Sequence, residues 1–322
     1  MRAWRQPGLW ITLALVLALG LWPIITQNAA NREVLFTILL SMILASSLNI
    51  ILGYSGYVNF GNVVFFGLGG YVGIFLMLNY NVNLFLAMAA GGGASALLAF
   101  LLGKAILRLR GAYFALATIG VNEAARAFIN NFPPFGGPTG MSLNFSVYNN
   151  YGGAANALWL CYYLALGLTL VAVLMSFRIK TSKFGLSLMA IREDEDAAEV
   201  MGITTPNAKN WAYVLSAILP GIIGVVFFFK NSNIEPGDAF RLQFSIENIV
   251  MVMLGGQGTV LGPIVGAGGY QWLRGFLLTN DFFKDYQLTV AGVLLLLIIL
   301  FIPAGAVGWV RQRFPRTRRY LV

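Results

Sequence analysis

The sequence predicts an all-α, polytopic transmembrane helical bundle: one domain over residues 1–322, about ten spans, both termini cytoplasmic. Composition is the first observation behind this. Of 322 residues, 58% are hydrophobic and 10% charged, and the mean hydropathy is +0.75, whereas a soluble domain carries about 25% charged residues. The second is the length of the apolar runs, close to the roughly 20 residues that a membrane-crossing helix needs, with none of the alternation of a membrane barrel. The third is a lopsided distribution of basic residues. Histidine is absent, which excludes a Ser-His-Asp triad, a Cys-His dyad and an imidazole metal site. The lone Cys161 excludes an intramolecular disulfide framework and any CxxC motif. Within its apolar run it reads as a buried, inert thiol.

The runs follow in order. Leu9–Ile25 lies behind a basic start, but it is longer than a signal-peptide core and no Ala-x-Ala follows, so it reads as an uncleaved first span. Val34–Leu52, Leu84–Leu102, Ala157–Phe177, Trp211–Phe229 and Leu288–Ile302 are equally clear. Asn62–Leu78, Ile246–Leu254 and Ile264–Leu278 are glycine-rich or interrupted, and Gly111–Ile129 contains Glu123 and Arg126.

Ten crossings from a cytoplasmic N-terminus place Arg2, Arg5, Lys104, Arg108, Arg110, Arg178, Lys180, Lys183, Arg192, Lys209, Arg311, Arg313, Arg316, Arg318 and Arg319 inside. Arg32, Lys230, Arg241 and Lys284 fall outside. This is the positive-inside pattern. It accounts for the net charge of +9 without a nucleic-acid partner, because the bases are scattered over short loops.

Two loops are longer than connectors. The external segment 130–156 is uncharged and contains Pro133-Pro134 and Gly136-Gly137-Pro138-Thr139-Gly140. It reads either as a structured loop or as a surface meeting a partner or lining a vestibule. The cytoplasmic segment 178–210 holds Glu193, Asp194, Glu195, Asp196 and Glu199 within seven positions. Leu186–Met201 lacks Pro and Gly and is expected to be helical. Ile191, Ala197, Ala198 and Met201 would share an apolar face, Glu195 and Glu199 the solvated side, and Arg192 would pair with Asp196 at i,i+4. Gly202 would end the helix. Such a helix suits docking in another protein's groove, or it is a solvated connector.

Asp196-Ala197-Ala198-Glu199-Val200-Met201-Gly202 resembles the Glu-Ala-Ala-x-x-x-Gly motif of permease subunits of ATP-binding-cassette importers, with Asp for Glu. The stretch from Phe184-Gly185-Leu186 to Ala198 is similar to the branched-chain amino acid permeases, LivM type. So are Leu52-Gly53-Tyr54-Ser55-Gly56, Phe65–Tyr71, Leu109–Thr118, Gly136–Met141 and Leu254–Pro263, in matching order over most of the chain. Two departures stand out: Ile218-Leu219-Pro220 is adjacent and later than the usual Ile-x-Leu-Pro, and Asn62 replaces the histidine of many relatives.

The resemblance implies an importer subunit working with a second, LivH-like permease, two ATPases that carry the ATP and Mg, and an external solute-binding protein, in the inner membrane among lipid. Gly185, Arg192, Asp194, Asp196, Ala197, Ala198, Met201 and Gly202 would couple to the ATPase. The chain lacks Gly-x-x-x-x-Gly-Lys-Ser/Thr and is expected to bind no nucleotide, metal or other cofactor itself.

A pathway needs breaks in the bundle, tolerated only where protein or water satisfies the backbone. Gly53, Ser55, Gly56, Asn59 and Asn62 in one glycine stretch, and Gly255, Gln257, Gly258 and Thr259 in the other, would form turns or half-helices lining it; alternatively the glycines allow close helix packing. Glu123 and Arg126 are a structural ion pair or a contact for a zwitterionic substrate. Gly136, Gly137, Thr139 and Gly140 mark the external loop. The expected cargo is a branched-chain or other neutral amino acid. A urea or short-amide permease is the close alternative. An ion-coupled transporter would lack carboxylates for coupling and a reason for the acidic helix, and a membrane-embedded enzyme would lack histidine and a carboxylate pair.

Overall fold

Nine of the ten apolar runs fold as helices ending within a few residues of the predicted limits: α1 (Pro7–Thr26), α2 (Ala29–Ser55), α3 (Asn62–Tyr80), α4 (Leu84–Ile106), α5 (Ala112–Asn130), α6 (Ala154–Thr181), α9 (Thr205–Asn231), α11 (Leu242–Gly255) and α12 (Leu261–Thr279). Shorter helices are α7 (Lys183–Glu193), α8 (Glu195–Val200), α10 (Pro236–Ala239) and α13 (Gly305–Arg313). A computed structural model describes residues 7–26, 29–279 and 305–313 with isolated positions between 286 and 296. The run Leu288–Ile302 lies largely outside the described residues, as do Arg2, Arg5, Lys284, Arg316, Arg318 and Arg319.

Five helical stretches are long and apolar enough to cross a membrane: 30–55, 62–80, 84–106, 154–181 and 205–231. The protein is a helical, multi-pass membrane protein. α11 has 14 residues, about 21 Å at 1.5 Å per residue. It falls short of a hydrocarbon core of about 30 Å.

Small residues let three helices close on one another. A Cβ on Gly69 of α3 would stand 2.3 Å from Gly221 O of α9, and one on Gly91 of α4 would stand 2.7 Å from Gly69 O. Only glycine permits this backbone approach, which replaces hydrophobic drive as the source of helix association in lipid. Ser95 Oγ of α4 donates to Phe65 O of α3 at 2.8 Å. α2 packs against α9, α6 and α12, with Tyr54 Oη and Ser176 Oγ 2.7 Å apart. Two ion pairs that the sequence did not suggest tie helices together: Glu33 on α2 with Lys230 on α9 at 2.6 Å, and buried Glu247 on α11 with Arg274 on α12 at 3.4 Å.

The α2–α3, α4–α5, α6–α9 and α11–α12 connections meet at one end, the basic end. Segments 130–153 and 231–241 meet at the other. There β1 (Met141–Ser142) pairs antiparallel with β2 (Asn233–Ile234), Met141 opposite Ile234, and Tyr148 Oη donates to Phe229 O at 2.7 Å. The loop 130–156 is therefore structured. Gly136, Gly137 and Gly140 take positive φ in it, Gly140 backs onto Ile234 O, and Thr139 Oγ1 donates to Gly136 O at 2.9 Å.

The expected single helix over Leu186–Met201 is two helices. Asp194 is extended, φ −157° and ψ 114°, and its Oδ1 accepts from Ala197 N at 3.0 Å. A carboxylate capping the next helix competes with continuing the previous one.

Candidate functional site

Segment 182–204 lies across the basic end of the bundle. Ser182 caps α7 by accepting from Gly185 N at 3.1 Å, and Gly185 sits tightly over Ile179 O. Ile191 and Ala198 turn inward, whereas Ala197 is exposed and Met201 is 82% exposed. The four therefore do not share one face, because the break at Asp194 rotates α8 relative to α7. α8 ends at Gly202, φ +86°, where Ile203 N donates to Ala198 O at 3.0 Å and Gly202 N to Glu199 O at 2.9 Å. This double bond pattern needs the left-handed conformation that glycine adopts without strain.

The predicted Arg192–Asp196 pair does not form. Arg192 Nη1 instead donates to Gly53 O at the end of α2, 2.7 Å away. Asp196 receives a two-pronged contact from Arg110, at 2.9 and 3.2 Å. Of the two glutamates expected on the solvated side, Glu199 is exposed and Glu195 is largely buried. Glu195 Oε2 accepts from Tyr57 Oη at 2.7 Å and lies 3.4 Å from Arg110 Nε, and Glu195 Oε1 stands 2.5 Å from Lys209 Nζ. Glu199 accepts from Thr205 Oγ1. Lys209, 3% exposed, spends all three donors on Glu195, Tyr57 Oη (3.0 Å) and Leu107 O (2.9 Å).

These charges set one another. Burial raises the Glu195 carboxyl, but Lys209, Tyr57 and Arg110 outweigh it and hold it below its usual value. Arg110 holds Asp196 below its usual value and is itself raised, by Asp196 first and then by Glu195. Burial and then Glu195 raise Tyr57. A buried ion pair survives only where its remaining hydrogen bonds are satisfied, and here they are.

The two glycine stretches are the α2–α3 and α11–α12 turns, and they touch. Asn49 accepts from Gly258 N at 2.9 Å and donates to Thr259 O at 3.0 Å. Gly53 approaches Gly258 N so closely that a Cβ would stand 2.5 Å away. Ser55 Oγ donates to Ile51 O at 2.6 Å, Gly56 packs under Arg192, and Asn59 accepts from Gly61 N at 2.9 Å. Gly255 backs onto Gly262 O; Thr259 Oγ1 donates to Gly256 O at 2.8 Å and accepts from Gly262 N at 2.9 Å. Gln257 is half-buried. Asn62 is fully buried, and neither its amide oxygen nor its nitrogen has a partner. Glu123 and Arg126 lie elsewhere, on the outward side of α5, 3.9 Å apart with side chains 56% and 46% exposed.

Sequence reasoning missed Asn49, Tyr57 and the burial of Lys209 and Glu195. A lysine two residues before an apolar span, ten residues after an acidic cluster, was the available signal for the last two.

Membrane-length helices with a short helix clamped across one end make this an integral-membrane helical bundle. The chain belongs to the family of branched-chain amino acid transport system permease components, whose sequence pattern matches residues 32–299. It is 28% identical to the high-affinity branched-chain amino acid transport system permease protein LivM of Salmonella typhimurium, over 95% of this chain and 76% of that protein. It is 25% identical to the ribose import permease protein RbsC of Bacillus subtilis, over 43% of this chain and 46% of that one. It is 24% identical to the LivH permease of Escherichia coli, over 47% and 46%. No solved structure matches the chain at the level of these relatives.

Proposed function

We propose that the chain is the LivM-type subunit of an ATP-binding-cassette importer that carries branched-chain or other neutral amino acids inward across the inner membrane. Its partners are a LivH-like second permease, two ATPases that hold the ATP and Mg, and a solute-binding protein at the opposite end. The chain itself catalyses no reaction. The observation that carries this reading is α8: Ala197, Val200 and Met201 face outward, while Glu195 fixes the helix from behind. Lys104, Arg108, Arg110, Lys183 and Arg192 lie at the same end, the cytoplasmic one by the positive-inside rule. The ATPase docks on the outward face. The two glycine turns, with Asn59, Asn62, Gln257 and Thr259, line the inner mouth of the pathway.

Uptake by vesicles holding the complete assembly tests it. ATP-dependent leucine uptake that needs the binding protein supports the reading. Uptake of urea, of a short amide or of ribose in its place would assign another cargo. Uptake driven by an ion gradient without the ATPases would contradict it.

A further inference from the structure

A cavity of about 400 Å³ lies between the basic ends of α4 and α9, walled by Phe100, Lys104 and Arg108 on one side and Asn207, Asn210 and Trp211 on the other. Its size is within the range of about 300–1,000 Å³ usual for small-ligand sites. Its charge is not balanced. Glu195 and Lys209 also border it, but they pair with each other, and Arg110 is held by Asp196 and Glu195. Lys104 and Arg108 are exposed and, among the described residues, form an ion pair with no carboxylate. Lys104 Nζ stands instead over the Phe100 ring, 4.3 Å from its centroid.

The cavity opens at the depth of a membrane interface. Trp211 lies six residues into α9, about 9 Å along the axis at 1.5 Å per residue. It is 55% exposed, and its ring packs on Phe100 with centroids 6.2 Å apart. Tryptophan collects at headgroup level because its ring is amphipathic. α4 packs against α3 and α9, which leaves Gly93, Leu97, Leu101, Lys104 and Arg108 exposed. Steps of four, four, three and four residues keep these five on one helix face. The row is apolar from Gly93 to Leu101 and basic from Lys104 to Arg108. A Cβ on Gly93 would meet nothing within 4 Å, so the apolar part is uncovered.

A molecule that matches this row has an anionic head at the basic end and a hydrocarbon tail along the membrane normal. Basic pockets between membrane helices on the cytoplasmic side take acidic lipid headgroups. We propose that the α4–α9 pocket holds an anionic phospholipid of the inner leaflet. Its phosphate sits between Lys104 and Arg108, Trp211 lies at the level of its glycerol, and an acyl chain runs along Leu101 and Leu97. A zwitterionic lipid brings a cation of its own to the two basic side chains and is the poorer occupant. This site goes beyond the transport reading and holds whatever the cargo is.

The experiment places the complete transporter in vesicles of equimolar phosphatidylglycerol and phosphatidylcholine. A trace of either lipid carries a photoreactive group in its acyl chain, next to the glycerol. After irradiation, the labelled peptides are mapped and the label is quantified. Phosphatidylglycerol should label the peptides that contain Leu97–Arg108 and Pro206–Trp211, and should do so more than phosphatidylcholine. Lys104→Gln and Arg108→Gln should each lower that label about fivefold, the usual share of one basic residue near an acidic leaflet. Lys104→Arg should stay within about twofold of wild type. Lys183→Gln, at the same end but outside the pocket, should change nothing. Should a glutamine variant not reach the membrane, the position of the label and the ratio of the two lipids in wild type decide.

Equal labelling by the two lipids would make the occupant ordinary surrounding lipid and overturn the site. An equal loss in Lys183→Gln would reduce it to general surface charge and overturn it too. Absence of label from both peptides would mean that another subunit covers this face. Displacement of the label by millimolar inorganic phosphate would make it a phosphate-ion site instead of a lipid site. Intact labelling with no amino acid uptake would contradict the proposed function and leave the lipid site standing.

Discussion

Asn49 and Gly258 are 209 residues apart in the chain and 2.9 Å apart in the fold, the backbone N–H of Gly258 donating to Asn49 Oδ1. The same carboxamide donates to Thr259 O, so one side chain joins the end of α2 to the α11–α12 turn. This seam accepts no methyl group. A Cβ on Gly53 would stand 1.9 Å from Asn49 Oδ1 and 2.5 Å from Gly258 N. Gly53→Ala should therefore destabilise the protein by about 1–3 kcal/mol, the usual cost of overpacking. On Gly93 of α4 a Cβ meets nothing within 4 Å, and Gly93→Ala should be neutral or stabilising. Thermal unfolding in detergent compares the two. Equal melting temperatures would remove the seam as a tight contact.

Lys209→Met leaves Glu195 charged and partly buried without its main partner. Breaking one side of a buried pair costs about 3–5 kcal/mol, whereas replacing both sides with apolar groups is often neutral. The double variant Glu195→Met/Lys209→Met should recover most of the stability lost in Lys209→Met, as read from melting temperature and from the amount of folded protein. A double variant no better than the single would mean that the pair does not govern stability here.

The carboxyl of Glu195 is held below its usual value in the folded chain. Its contribution is therefore fully present above the unfolded value, about 4.3, and is lost as pH falls through the folded value. The melting temperature of wild type should drop below about pH 5 more steeply than that of Glu195→Gln. Parallel curves for the two would contradict this assignment.

Asn122 is buried and donates to Phe240 O at 3.0 Å, which turns the neighbouring Glu123 and Arg126 away from the bundle. A charge left in the centre of a bilayer costs about 2.5–3.5 kcal/mol on insertion scales, so this side of α5 should meet water or a partner subunit rather than lipid. Glu123→Gln and Arg126→Gln should each reduce uptake at unchanged expression. Normal uptake in both would leave the pair a purely structural one.

The spans were legible because a helix in lipid must be apolar along its length, and nine runs appear as helices within a few residues of their expected limits. The contents of the 178–210 segment were less so. The stop at Gly202 follows from glycine's left-handed conformation and was readable. The break at Asp194 was not, because an aspartate favours helix interior or cap according to which amide lies within reach. Glu195 looked solvated because Tyr57, 138 positions away, leaves no trace in local spacing. Arg192 and Asp196 had the right spacing for each other, but Gly53 O and Arg110 offered better partners across the fold. The contact between the two glycine stretches was equally invisible, since it depends on α2 and the α11–α12 turn arriving at the same end.

Outward Ala197 and inward Ala198 provide the most direct measurement of the central claim, that α8 is the dock through which partner ATPases drive this permease. Ala198 is 3% exposed, so Ala198→Glu should lower the yield of folded protein. Ala197→Glu and Met201→Glu should insert and fold normally. Affinity-tagged chain, co-expressed with the ATPase subunits, is purified and the ATPase recovered with it is quantified. Ala197→Glu and Met201→Glu are expected to lose most of the bound ATPase at unchanged permease yield. Undiminished ATPase in both would contradict that claim.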